Sequence, residues 1–303
     1  MPDRIVHIGY PKTGSTFLQL EVFPSIPGIN YVDYRTCVKL FSDLIYLDDL
    51  DYDSGKAALN FAELNGVKPT LYSQEALSGP PFTFKGLNRS SIPVRLKDIG
   101  FNKIIVTIRN QIDIIDSLYR QYIYQGGVMK FADFIDLDRK WNHQLRAFNL
   151  DYLKFDSLIK CYQEEFGKSN VLILPLELLK EDQTLFLTKL CRFLNVDDLN
   201  VDLLGRSNES LSNLSTNILR IINHFTFNSQ RPNQLITNRI NTQIIKKIFQ
   251  VALDPYFFGF FSNKKSYLKT HQVDVIKDYY VKSNFELDTL LEENLEDFGY
   301  PLS

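Results

Sequence analysis

Arg4-Ile-Val-His-Ile-Gly9-Tyr-Pro-Lys-Thr-Gly-Ser-Thr16 is the stretch that decides the fold. A β-rich apolar run enters a loop bounded by Gly9 and Gly14. The helical pattern Phe17-Leu-Gln-Leu-Glu-Val-Phe23 follows at once. A strand, a glycine-bounded loop and a helix in that order aim the N–H groups of the loop and of the first helical turn at one spot. The helix dipole adds positive potential there, so the spot holds a phosphate. The same string also reads as a plain strand-to-helix turn with a capping Thr or Ser.

Working outward, three more β-rich runs stand at Thr70 to Ser73, Lys103 to Arg109 and Val171 to Leu176, with helix-like stretches between them. That rhythm predicts a parallel sheet. Lys103-Ile-Ile-Val-Thr-Ile-Arg109 is apolar on both faces, as a strand covered by helices on each side must be. After Val196 the pattern turns mainly helical, with helices expected at Leu214 to Phe225, Asn241 to Leu253 and Phe285 to Phe298. No Pro/Gly/Ser-rich linker separates this part. The expectation is one α/β domain over residues 1–303, a central parallel sheet flanked by helices with a mainly helical C-terminal third.

A second anion element lies downstream. The strand ending at Arg109 delivers a guanidinium to the C-terminal edge of the sheet, where open α/β sheets bind ligands. In Arg109-Asn-Gln-Ile-Asp-Ile-Ile-Asp-Ser117 the serine falls early in the next helix, so guanidinium and hydroxyl can serve one phosphate. A surface ion pair for Arg109 and a bond from Ser117 back to its own helix are the plainer readings. Pro69-Thr-Leu-Tyr-Ser-Gln-Glu75 places a carboxylate just past a third strand end, on the same edge. Glu75 is the candidate base; a helix-opening acid is the alternative.

Tyr10-Pro-Lys-Thr-Gly-Ser-Thr16 resembles the 5′-phosphosulfate loop of the sulfotransferases that use 3′-phosphoadenosine 5′-phosphosulfate (PAPS). Arg109, Asn110, Asp113 and Ser117 match that family's 3′-phosphate element, with Gln111 where the family carries proline. Ser73-Gln-Glu75 resembles a segment of its bacterial members, and the run through Phe298-Gly-Tyr-Pro301 resembles their C-terminus. The resemblance implies a P-loop NTPase-like fold and sulfuryl transfer from PAPS to a hydroxyl or amine, on a carbohydrate or small molecule. It implies that Pro11, Lys12, Thr13, Gly14, Ser15 and Thr16 hold the phosphosulfate and that Phe17 meets the adenine. Arg109 and Ser117 would then grip the 3′-phosphate, with Lys12 and Glu75 catalytic. The proline preset for the first helical turn is absent, so Gln111 is expected to loosen it. Arg206-Ser-Asn-Glu-Ser210 resembles a nucleotide-facing element of some members, and the Arg-Lys-Gly lid of many cytosolic ones is missing, with Arg231 or Lys264-Lys265 as stand-ins.

The main alternative is a phosphate-loop kinase or NTPase. Such a loop would carry lysine where Ser15 stands and would need a metal-holding acid at a strand end, for which Glu177 is available. A nucleotide-sensing module without a base is a third class. A net charge of −2 argues against a nucleic-acid partner. Residues 204–282 nevertheless hold eleven Lys or Arg against four Asp or Glu, which points to an acidic saccharide or to the polyanionic donor itself. Cys37, Cys161 and Cys191 are odd in number and far apart, and His7, His143, His224 and His271 are scattered, so neither a disulfide framework nor a metal site is expected. With no leader and no long apolar run, a cytoplasmic protein without an integral membrane segment is expected. Pro255-Tyr-Phe-Phe-Gly-Phe-Phe261 reads as core, subunit contact or acceptor wall.

Overall fold

Every predicted strand is present in the computed structural model, which describes residues 2–62, 67–82, 86, 88–138, 147–197, 199, 211–226, 244, 247 and 266–303. The strands are β1 (Arg4–His7), β2 (Asn30–Tyr31), β3 (Thr70–Ser73), β4 (Lys103–Ile108) and β5 (Val171–Pro175). They form one five-stranded sheet in the order β2-β3-β1-β4-β5, and all four pairings are parallel. Only β2 escapes the sequence pattern, since two residues are too few to show a period.

The chain divides into two compact units. One comprises Met1–Gln111, Phe148–Arg206 and Ile276–Ser303, and holds the sheet. Strands β1, β3, β4 and β5 are buried on both faces. On one face Ile5, Leu71, Ile105 and Leu174 pack against Leu18, Val22 and Phe23 of the post-loop helix and against Phe186, Leu187, Leu190 and Leu194 of the helix Gln183–Leu194. On the other face Tyr72 joins Phe41, Phe61 and Phe101 in an edge-to-face aromatic cluster, with ring centroids 5.1 to 6.0 Å apart. Burial of such side chains, roughly 1.5–3 kcal/mol each, is what holds the sheet in place.

The second unit, Ile112–Ala147 with Ser207–Val275, is built among its described residues from helices and an aromatic cluster of Tyr119, Tyr122, Phe131, Phe134 and Tyr267. Arg120 lies 4.9 Å from the Tyr267 ring centre and donates to the Leu211 carbonyl and to Asn213 Oδ1. The helix expected at Leu214 to Phe225 runs Asn213–Ile222, capped by Ser212. Of the helix expected at Asn241 to Leu253, Ile244 and Lys247 are helical and the rest lies outside the described residues. Arg206 to Ser210, Arg231, Lys264-Lys265 and the cluster Pro255 to Phe261 also lie outside them.

Two expectations need correction. The closing helix runs Thr270–Asp288, and the stretch expected to be helical as far as Phe298 is instead a series of turns. Asp288 Oδ1 accepts from the Leu295 N–H at 2.8 Å, folding the chain back, and Phe298 then packs on the apolar core. Gln111, expected to loosen the start of its helix, is instead completely buried and pairs with Asn284. Gln111 Nε2 donates to Asn284 Oδ1 at 2.6 Å, and Asn284 Nδ2 donates to Gln111 Oε1 at 3.3 Å and to the Pro301 carbonyl at 3.1 Å. The amide pair replaces proline's backbone preset with a tie to the C-terminal segment. Gln111→Pro, although it restores the proline of related sequences, should therefore lower stability by about 1–3 kcal/mol, because it strands the buried Asn284 amide. A urea midpoint equal to or above that of the unaltered protein would show the pair to be dispensable.

Candidate active site

Three adjacent strands, β3, β1 and β4, carry the candidate residues at their C-terminal ends. Glu75 begins a short helix, Glu75–Ser78, two residues beyond β3, with Gln74 capping it by accepting from the Ala76 N–H. Beyond β1 the loop runs from Ile8 to Gly14 and opens into a helical run that starts at Ser15. Arg109 is the first residue beyond β4. Because β1 lies between the other two strands, the loop is flanked by Glu75 on one side and Arg109 on the other.

The loop backbone turns sharply twice. Lys12 has φ of 67° and Gly14 has φ of 84°. Glycine adopts the left-handed region freely, whereas a lysine there costs about 1 kcal/mol or more. A Cβ on Gly14 would also lie 2.8 Å from Leu176 Cδ1, so position 14 needs glycine for both conformation and space. Phe17 and Leu18 N–H both donate to the Gly14 carbonyl, starting the helix. Pro11, Thr13 and Ser15 are buried, while Lys12 and Thr16 keep exposed surface. Phe17 is half-buried against the apolar core.

Charge converges on this rim. Arg109 Nη1 donates to the Lys12 carbonyl at 3.3 Å. Although Lys12 keeps exposed surface, the protein displaces enough water around its ammonium to hold its pKa below the usual lysine value; nearby Glu75 opposes the shift and Arg109 adds to it. Burial likewise raises the Glu75 carboxyl, against the opposing influence of the Ser15 hydroxyl and the Lys12 ammonium. Ser15 Oγ is buried and completes no well-formed hydrogen bond within the protein, though it lies close enough to Glu75 to favour that carboxylate's charged form. A buried hydroxyl whose hydrogen bonding within the protein is incomplete, at a helix start, suits an anionic oxygen. Ser117 belongs to the second unit, on the helix Gln111–Tyr124, and donates to the Asp113 carbonyl at 3.3 Å.

Glu177 is not offered to a metal. Its Oε1 accepts from the Asn110 N–H at 3.1 Å and its Oε2 from the Tyr300 hydroxyl at 3.2 Å, and burial raises its pKa. Asn110 Nδ2 in turn donates to the Gly299 carbonyl at 2.6 Å. The carboxylate thus braces the turn that bears Arg109 against the C-terminal segment.

The family model described as a sulfotransferase domain matches residues 2–299. The chain belongs to the sulfotransferase family. It is a transferase with the P-loop-like fold of that family. The crystal structure of a sulfotransferase from Alicyclobacillus acidocaldarius is similar, with a TM-score of 0.56 at 12% identity and 99% of each chain covered. Mouse sulfotransferase SULT7A1 complexed with PAP matches at a TM-score of 0.47 and 19% identity, over 95% of this chain and 86% of that one. No curated protein matches the sequence.

Sequence reading of this sulfotransferase missed the groups beneath the loop. His7, one of four scattered histidines in the sequence, is fully buried at the end of β1 between Ser73 and Thr107. The signal was present as the i, i+2 pairs Ile5 and His7, Leu71 and Ser73, Ile105 and Thr107, each apolar and then polar on one strand face. Desolvation lowers the His7 pKa from 6.5 to about 3. Below pH 6.5 the unfolded chain therefore binds a proton that the folded one refuses. The stability tied to neutral His7 is complete above that pH and is lost as pH falls toward 3. His7→Gln should remove up to about 1.4 kcal/mol per pH unit from the slope of unfolding free energy between about pH 4 and about pH 6. Urea titrations across that range check it, and equal slopes for both proteins would show His7 to be proton-silent.

Proposed function

We propose that this sulfotransferase moves a sulfuryl group from PAPS to a hydroxyl or amine of a carbohydrate or small-molecule acceptor. The observation that carries this reading is the convergence of Lys12, Ser15, Glu75 and Arg109 on one rim, with Arg109 hydrogen-bonded to the loop itself. A single bis-phosphorylated nucleotide could engage both cationic groups there. Pro11 to Thr16 would cradle the 5′-phosphosulfate, the half-buried Phe17 would border the adenine, and Arg109 would bind the 3′-phosphate. PAPS supplies an activated sulfuryl group. Glu75 takes the acceptor proton as the new bond to sulfur forms, and Lys12 neutralises charge on the bridging oxygen as its bond to sulfur breaks. The raised carboxyl of Glu75 suits a base working near neutral pH, and the lowered ammonium of Lys12 suits a cation next to a leaving oxygen. The remaining work is positioning.

Tyr34 and Tyr46 are exposed, and Tyr34 lies within electrostatic reach of both Tyr46 and Glu75, which supports an acceptor approaching from that side. The basic bias of residues 204–282 favours an acidic saccharide. One family model spans both compact units, which supports a single sulfotransferase domain over residues 1–303. The free cysteines Cys37 and Cys191, both buried, fit a reducing compartment, in keeping with a cytoplasmic location.

Calorimetric titration tests the donor. 3′,5′-Diphosphoadenosine should bind while ADP, and ATP with magnesium, bind far more weakly; Arg109→Ala should lose about tenfold to a hundredfold of the diphosphate affinity. Preference for ATP with magnesium would return the kinase reading. Glu75→Gln should keep diphosphate binding and lose at least about a hundredfold in transfer rate. The acidic limb of kcat/KM for the unaltered enzyme should fall above the ordinary carboxyl value of 4.5, since Glu75 acts only when ionised. Full transfer by Glu75→Gln would remove it as the base.

A further inference from the structure

Beneath the loop runs an unbroken chain of buried side-chain hydrogen bonds. Gln19 Nε2 lies 2.9 Å from Ser73 Oγ, Ser73 Oγ 2.8 Å from His7 Nδ1, and His7 Nε2 3.0 Å from Thr107 Oγ1. Thr107 Oγ1 lies 2.7 Å from Thr13 Oγ1, which is 2.5 Å from the Tyr10 carbonyl oxygen. His7 and Ser73 are fully buried and Thr13 and Thr107 nearly so, which keeps water from substituting for any link. Strand register explains the assembly, because His7 pairs with Ser73 across β1 and β3, and Thr107 follows two residues after its partner Ile105 on β4.

Counting protons fixes the direction of every bond. A carbonyl can only accept, so the single Thr13 proton goes to Tyr10 O. The bond between the threonines must then use the Thr107 proton. Thr107 Oγ1 is thereby left to accept from His7 Nε2–H. With its one ring proton on Nε2, neutral His7 accepts at Nδ1 from the Ser73 hydroxyl, whose oxygen accepts from Gln19 Nε2. One tautomer of one protonation state satisfies all six groups. A second ring proton would turn Nδ1 into a donor and leave the Ser73 proton without a buried acceptor.

Resting on the reading of the loop as the donor site, we propose that His7 is a positioning residue for sulfuryl transfer. It is a neutral Nε2–H imidazole that locks the Tyr10–Thr13 half of the loop, the post-loop helix and the strand end leading to Glu75 into one hydrogen-bonded unit. Gly9 supplies an independent indication. A Cβ there would come within 2.1 Å of Thr107 Oγ1 and 2.6 Å of His7 Nε2, so the glycine that opens the loop makes room for this link. Phe23 closes the far side of the imidazole edge-on, with ring centroids 5.2 Å apart. Ser73 precedes Glu75 by two residues and Thr13 follows Lys12 by one, so the chain has members close in sequence to both the proposed base and the proposed cation.

His7→Phe and Thr107→Val each cut the chain at a link that contacts no proposed ligand. Each should weaken 3′,5′-diphosphoadenosine binding about tenfold and lower kcat while leaving the acceptor KM unchanged. The double variant should be no worse than the weaker single one, since a chain broken once is already broken. Variants that fold, as judged by their urea midpoints, yet bind and turn over like the unaltered enzyme would overturn the proposal. So would fully additive losses. Should the variants fail to fold, imidazole ¹⁵N NMR of the unaltered enzyme, with the His7 signals assigned by selective labelling, decides alone. A protonated Nε2 with an acceptor Nδ1 at neutral pH supports the chain, and the opposite tautomer overturns it. If the unaltered enzyme binds no diphosphate, the donor-site reading fails on its own, while the NMR result still reports on the chain.

Discussion

Parallel pairing of β1 with a neighbour on each side is the constraint on which the rest of the molecule depends. A strand so placed cannot leave the sheet sideways, so its chain must turn over the C-terminal edge, where the flanking strands also release theirs. In this way residues as far apart in sequence as Lys12, Glu75 and Arg109 come to share a rim. The strand faces enforce the rest. Ile5, Leu71 and Ile105 bury apolar surface against the post-loop helix, and the next residues on the same face, His7, Ser73 and Thr107, stand directly under the loop. An apolar layer ending in a polar one gives the loop a hydrogen-bonded floor on a rigid base.

The rim is electrostatically uneasy, and its unease is productive. Lys12 sits in a left-handed backbone conformation, loses hydration and faces another cation at Arg109. Glu75 is raised by burial and compensated only in part by its neighbours. These are costs that a packing role would not require. Under the proposed reading, an anionic ligand would lie beside the Lys12 ammonium and offer the Ser15 hydroxyl a further acceptor. Fixed donors that already point at a site need little rearrangement when a ligand arrives, which is the condition under which electrostatic stabilisation is most effective.

Departures from the sequence pattern of related proteins turn out to be replacements. Where proline would preset the helix after Arg109, Gln111 instead reaches Asn284, and Asn110 with Glu177 holds the same turn against Gly299 and Tyr300. The C-terminal segment therefore steadies the arginine-bearing turn through buried amides and one carboxylate. Each oxygen of Glu177 accepts one hydrogen bond in that arrangement, from the Asn110 N–H and from the Tyr300 hydroxyl, which gives this strand-end acid a bracing role.

The sequence alone determined the parallel α/β core, the loop and the placement of Lys12, Glu75 and Arg109 just beyond strand ends, because each is a local matter. Apolar runs mark buried strands, glycines mark the turn, and charged residues just after strand ends mark the ligand-binding edge. It also misjudged Gln111 and the length of the last helix, because both depend on partners far away in the chain. The tertiary structure decided which strands are neighbours, and hence which side chains meet. His7 illustrates the difference. As a letter it is one of four isolated histidines, and only strand register, by setting Ser73 and Thr107 on either side of it, supplies its hydrogen-bond partners beneath the loop.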